Sequence, residues 1–318
     1  MNTSKVTEFV LLGFPSLNHI RGLCFSVILL MYSLNILGNG FILIIVFLDQ
    51  KLQTPMYVLL CNLAVLEISY TTTVIPKLLQ TFLTARTTIC YCCCMTQIFF
   101  VFAFGEIELL LLTAMAFDRY IAICKPLRYP VIMTNTVCIQ LAMGAWLGGF
   151  VHVFFQASLV WTLPFCDRNV INHYFCDIGP VLSLACSDTC LLEFVALLSA
   201  TSIVVISLFL IVLSYIYIIP TILRIPSASG QKKAFSTCTS HLTVVSISYG
   251  AIIFMYIRPN VHSSFQFSKV VALLNTVIAP MMNPYIYTIR NVEVKKAFRR
   301  AVGKKGGSPQ REAFQSDS

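Results

Sequence analysis

Residues 24–48 read CFSVILLMYSLNILGNGFILIIVFL, 25 residues without a charged side chain. As a helix this stretch rises about 37 Å, enough to cross the ~30 Å hydrocarbon layer of a bilayer. Six further stretches match it: 57–77, 94–123, 137–165, 194–223, 234–257 and 270–289. Charged or histidine side chains interrupt them at Glu67 and the terminal Lys77 in the second, at Glu106, Glu108 and the closing Asp118-Arg119 in the third, at His152 in the fourth and at His241 in the sixth. Long buried helices of a soluble protein would all have to be apolar on every face, which is not how soluble helices are built. The whole 318-residue composition agrees, with 57% hydrophobic and 11% charged residues and a mean hydropathy of +0.81. Soluble domains carry about 25% charged residues. The reading is an all-α membrane protein, a seven-transmembrane helix bundle.

An odd number of spans puts the termini on opposite faces. With the N-terminus extracellular, fifteen of the 22 basic residues fall on the inner side, as the positive-inside rule requires. The C-terminus is then cytoplasmic. The net charge of +9 therefore marks membrane topology and gives no reason to invoke nucleic acid. Asn2-Thr3-Ser4 is a glycosylation sequon on the outer side. Three regions follow: an extracellular segment 1–23, the membrane domain 24–289, and a cytoplasmic helix and tail 290–318. No cleavable leader is evident, so the first span is expected to act as the targeting signal.

Eight of the thirteen cysteines cluster outside: Cys90, Cys92, Cys93 and Cys94 open the third span, and Cys166, Cys176, Cys186 and Cys190 lie in the longest outer loop. That compartment favours disulfides, and no ligand histidines at zinc spacing appear. Four participating cysteines still allow three connectivities. A bond from the third helix to the loop would pin a lid over the bundle.

Charges within a membrane are costly and mark function or pairing. Glu67 and Glu108 both fall near mid-membrane, where they could share a cation, share a proton, or each bond to Asn and Ser neighbours. Glu106, two residues before Glu108, points about 200° away around the helix. Asp118-Arg119-Tyr120 closes the third span, where the acid can hold the guanidinium until a conformational change frees it. Pro220, Pro280 and Pro284 predict kinks, and Gly144 and Gly148 suit close helix packing.

Six segments in order carry a resemblance. MAFDRYIAICKPL (115–127) is similar to the third-helix signature of vertebrate olfactory receptors, within the rhodopsin-like G-protein-coupled receptors. Gly38-Asn39, Pro55-Met56-Tyr57, Ser214-Tyr215, KAFSTC (233–238) and PMMNPYIY (280–287) resemble the same family, and the match covers essentially the whole chain. The resemblance implies a G-protein switch of Asp118, Arg119, Tyr120, Tyr215 and Tyr287, with Asp118 holding Arg119. It implies a sodium-type site from Asn39, Glu67, Glu108 and Asn283. Glu67 stands where the family more often has Asp, which leaves open whether that site holds sodium or a proton. The implied disulfides are Cys94–Cys176 and Cys166–Cys186, with Cys94–Cys186 the competing assignment; Cys90, Cys92 and Cys93 are extra.

Helical facing and the family pattern together suggest a ligand pocket of Phe102, Gly105, Glu106, Ser199, Ile203, Ile252, Tyr256 and Thr276, mostly apolar with a few hydrogen-bonding groups, as small-molecule sites are. The function implied is that of a plasma-membrane odorant receptor that binds a small organic molecule and activates a stimulatory olfactory G protein, raising cyclic AMP. It has no catalytic role and no cofactor beyond the sodium. A receptor of the same class for another small molecule is the alternative. A transporter would show an inverted repeat or paired broken helices, and an enzyme would show a nucleophile–base or metal constellation; neither is legible in the sequence.

Overall fold

The computed structural model describes residues 6–84, 87–166, 168–256, 265–289 and 292–305. A short strand β1 (Glu8–Leu11) and a 3-10 turn precede α1 (Arg21–Leu48) and α2 (Pro55–Thr84). Strand β2 (Thr88–Cys90) leads into α3 (Tyr91–Cys124), a single turn α4 (Tyr129–Ile132) and α5 (Asn135–Trp161). Strand β3 (Val170–Ile171) and the short α6 (Ile178–Leu182) form the loop before α7 (Cys190–Leu223). Then come α8 (Ala228–Tyr256), α9 (Phe265–Leu273), α10 (Ala279–Ile289) and α11 (Val292–Lys305). Among the described residues seven helical stretches are long and apolar enough to cross a membrane. Several run beyond the apolar spans; α8, for example, already includes Gln231, Lys232 and Lys233. Hydropathy registers only the hydrocarbon part, whereas the backbone continues helical into the polar interface.

α3 is the central rod, its buried residues running from Cys94 to Ile121 as it packs on α2, α5, α7 and α8. The outer helices carry apolar side chains on their free faces, among them Leu147, Val151 and Phe155 on α5 and Val205, Ile206 and Phe209 on α7. Such faces are stable only against lipid. Close approach of α5 to α3 occurs at Gly149, where an added Cβ would lie 2.6 Å from Ile107 Cγ1. Gly144 and Gly148, whose spacing suits close helix packing, have nothing nearer than 3.9 Å to an added Cβ.

The seventh span is broken into α9 and α10 by a π-helical turn, Leu274–Ile278. Pro280 follows after Ala279. It has no N–H for the carbonyl four residues back and its ring crowds that carbonyl, so the ladder widens there. Pro76, Pro220 and Pro284 lie inside α2, α7 and α10.

One end of the bundle carries the lid, built on a small sheet that periodicity did not predict. β1 is the middle strand of a small sheet: antiparallel to β2, with Phe9 opposite Ile89, and parallel to β3, with Leu11 opposite Ile171. Phe9 and Leu11 are buried beneath it with Ile98, Val160, Val181 and Leu182. Disulfides join Cys94 to Cys176, Cys166 to Cys186 and Cys90 to Cys93. The last pairs two of the cysteines read as extra. The opposite, tail end carries α11, whose Arg300 forks onto Asp49 at the end of α1 with contacts of 2.9 and 2.6 Å.

Candidate functional site

Below the lid lies a cavity of about 210 Å³. α3 supplies Val101, Phe102, Gly105, Glu106 and Leu109; α7 supplies Glu193, Ala196, Leu197, Ala200, Ile203 and Val204. Ile178, Gly179 and Leu182 close it from the loop, and Tyr70, Gln156, Ile252 and Asn275 complete the wall. Gly105 leaves room here, because nothing lies within 4 Å of the position its Cβ would take. Five of the expected pocket residues, Phe102, Gly105, Glu106, Ile203 and Ile252, line this cavity. Ser199 stands behind the wall, and Thr276 does not reach it, bonding instead to the Tyr174 hydroxyl at 2.9 Å. The side chain of Tyr256 lies outside the described residues, as does Asn2.

The polar chemistry of the cavity is a relay of four side chains. Both Glu106 oxygens lie 2.8 Å from His152 Nδ1. The other ring nitrogen of His152 lies 2.5 Å from Ser199 Oγ, and Gln156 Nε2 donates to that hydroxyl at 2.8 Å. His152 and Gln156 are four apart on α5 and so share a face, a signal available in the sequence. That this face meets Glu106 and Ser199 is a fact of packing.

Deeper, the carboxylates part company. Glu67 accepts from the Asn283 amide, and Glu108 accepts from Ser248 at 2.5 Å. Asn39 bonds to Asn35 Oδ1 at 2.7 Å and reaches the Pro280 carbonyl at 3.5 Å. Asn35 in turn bonds to Thr71 at 2.6 Å. Glu67 Oε2 and Asn283 Oδ1 are buried without a hydrogen-bond partner.

At the tail end the geometry departs from one expectation. Asp118 accepts from the Tyr129 hydroxyl at 2.9 Å, and among the described residues it makes no ion pair with Arg119. Neighbours on a helix project about 100° apart, so Asp118 turns to α4 while Arg119 turns inward. There Arg119 lines a small cavity with Met56, Leu60, Met115, Thr237, Ser240 and Tyr287. Arg119 Nε and the Tyr287 hydroxyl are buried and unpartnered. Tyr215 bonds to His241 at 3.0 Å, and the far nitrogen of His241 lies 3.0 Å from the Leu112 carbonyl of α3. Tyr120 packs at the rim against Tyr217, ring centres 5.9 Å apart, with Lys125 Nζ 5.5 Å above its ring. Tyr129 and His241 were not among the expected switch residues; one sits after a loop and the other in an apolar span, with no local pattern to mark either.

Comparison with known proteins places this geometry in a family. The family profile described as "Olfactory receptor" matches residues 28–305. Human Olfactory receptor 6X1 is 54% identical over 301 residues, covering 95% of this chain and 96% of that receptor. Human Olfactory receptor 6C3 is 48% identical over 304 residues, covering 96% and 98%. Rat Olfactory receptor 287 is 48% identical over 301 residues, covering 95% and 97%. Likeness of this degree along nearly the entire length of each partner leaves one assignment: the chain belongs to the olfactory receptor family.

Proposed function

We propose that this chain detects a small organic odorant in the cavity below the lid and signals through a stimulatory olfactory G protein, raising cyclic AMP. The lid faces outward and carries a glycan on Asn2; α11 and the Arg119 end face the cytoplasm. One observation carries the reading: the same rigid rod, α3, walls the ligand cavity at Gly105 and Glu106 and presents Arg119 thirteen residues later, about 20 Å along the helix. A ligand that favours one placement of that rod biases the pocket around Arg119, by no more than its difference in affinity between the two states. The unpartnered Arg119 Nε and Tyr287 hydroxyl are groups that another arrangement, or a bound G-protein segment, would satisfy.

The test is an odorant panel on cells expressing surface-tagged receptor, read through cyclic AMP. Wild type responds to at least one odorant, and Arg119→Ala abolishes the response at equal surface density. Solute or proton flux without a cyclic AMP response would overturn the reading.

Between the two ends, Glu67 Oε2 and Asn283 Oδ1 are oxygen donors of the kind that hard cations take, and they fit a sodium ion or a shared proton held with Glu108 and Asn39. A cation there would neutralise buried carboxylate charge. Replacing choline by sodium should raise the melting temperature of the purified receptor, and Glu67→Gln should abolish that rise. Equal melting in the two salts would remove sodium from the proposal.

A further inference from the structure

The hydrogen-bonding groups on the cavity wall are unbalanced in one direction. The amide donors are engaged inside the protein: Gln156 Nε2 on Ser199 at 2.8 Å and Asn275 Nδ2 on the Tyr70 hydroxyl at 3.3 Å. Among the acceptors, both Glu106 oxygens lie against His152 Nδ1 and Glu193 Oε1 accepts from Thr189 at 2.6 Å. Asn275 Oδ1, on a residue only 3% exposed, has no partner. Glu106 and Glu193 bring two carboxylates to the wall, and among the described residues the wall has no lysine or arginine.

The relay behind Glu106 reinforces this direction. Gln156 donates to Ser199, whose hydroxyl proton can go to His152, whose other nitrogen then donates to Glu106. In that arrangement the donors run toward the carboxylate and stabilise its charge. With His152 as its Nδ1–H tautomer or protonated, Glu106 is the acceptor, so a ligand meeting it brings a donor.

We infer that the cavity selects a small organic ammonium, a short apolar chain ending in a protonated amine, which donates to Glu106 and to Asn275 Oδ1 while its chain lies along Phe102, Ile203 and Ile252. The inference rests on the odorant-receptor reading and names the ligand class of the same site. The volume, about 210 Å³, is below the ~300–1,000 Å³ of drug-sized pockets and limits the chain to a few carbons. A charge-assisted bond is roughly twice as strong as a neutral one, so an ammonium should outbind the matching alcohol by about tenfold or more.

The experiment uses purified full-length receptor and three matched probe series, C4–C8 n-alkylammonium, n-alkan-1-ol and n-alkanoate, read by thermal-shift titration, with cyclic AMP measured in parallel in cells. The ammonium series should bind tightest in wild type. That preference should collapse in Glu106→Gln and survive in Glu106→Asp, which keeps the charge. Alcohols or alkanoates binding as well as the ammonium ions, an unchanged preference in Glu106→Gln, or no shift with any series would overturn the inference; the wild-type ranking alone decides it if a variant does not fold. Ammonium-selective binding without cyclic AMP would uphold the inference and defeat the signalling account. Cyclic AMP responses to neutral odorants without ammonium preference would do the reverse.

Discussion

Two glycines of the bundle have opposite surroundings, and the difference predicts opposite phenotypes. Gly105 faces open cavity, with nothing within 4 Å of a Cβ. Gly105→Leu should therefore fill ligand space, lowering odorant potency at least about tenfold while the melting temperature stays close to wild type. Gly149 is wedged against Ile107 and the Ala103 carbonyl, at 2.6 and 3.3 Å from a Cβ. Gly149→Ala should overpack the α3–α5 contact, destabilising by about 1–3 kcal/mol and lowering the melting temperature. Sequence spacing marked small residues on this helix but selected Gly144 and Gly148, because it gave no rotation of α5 relative to α3. Spacing succeeded where only one helix was involved. Glu106 and Glu108, two residues apart, were read as facing different ways; the first meets His152 and the second Ser248.

Among the elements, the lid shows most clearly how local signals combine with long-range ones. Its three strands are two to four residues long, too short for an alternation pattern; Cys94–Cys176 ties the loop that carries β3 to α3, and Cys166–Cys186 closes that loop on itself. Cys94–Cys176 spans 82 residues and Cys90–Cys93 three. Closure of the longer loop restricts the unfolded chain far more, so Cys94→Ser should abolish folded surface receptor, whereas Cys93→Ser should reduce it little; antibody staining of intact cells separates them. His173 adds a pH dependence. It is 4% exposed, stacked on Tyr174 with ring centres 4.7 Å apart, with its Nδ1 unpartnered. Burial, and then the nearby Lys269 charge, push its pKa down to about 3. The unfolded chain takes up this proton below about 6.5 and the folded lid does not, so His173 costs stability progressively as pH falls from about 6.5 toward 3. Melting temperature should drop across that window, and His173→Gln should flatten the drop.

For the molecule as a whole, the family assignment and seven apolar helices make this a multi-pass plasma-membrane protein, a signalling receptor and not an enzyme. Its two ends are joined to the bundle by different chemistry. The lid is covalent, while α11 is held to the end of α1 by Arg300 on Asp49. That hydrogen-bonded pair, chiefly, holds the Asp49 carboxyl below its ordinary value, so its contribution is present above about pH 4 and is lost as pH falls through the lowered pKa. Arg300→Ala should remove it at neutral pH as well, seen as faster protease cleavage near α11. The sequence alone determined that the chain crosses a membrane seven times, which family it resembles, and which residue types stand at mid-membrane. These follow from one-dimensional quantities, apolar length and motif order, that any helix of this composition must express. Only the tertiary structure decided that Asp118 bonds to Tyr129 and, among the described residues, makes no ion pair with Arg119, that His152 and Ser199 stand behind Glu106, and that Asn275 keeps an acceptor free. Such pairings depend on the rotation and depth of one helix against another, set by side-chain packing across residues as far apart as Glu106 and His152, which no local pattern encodes.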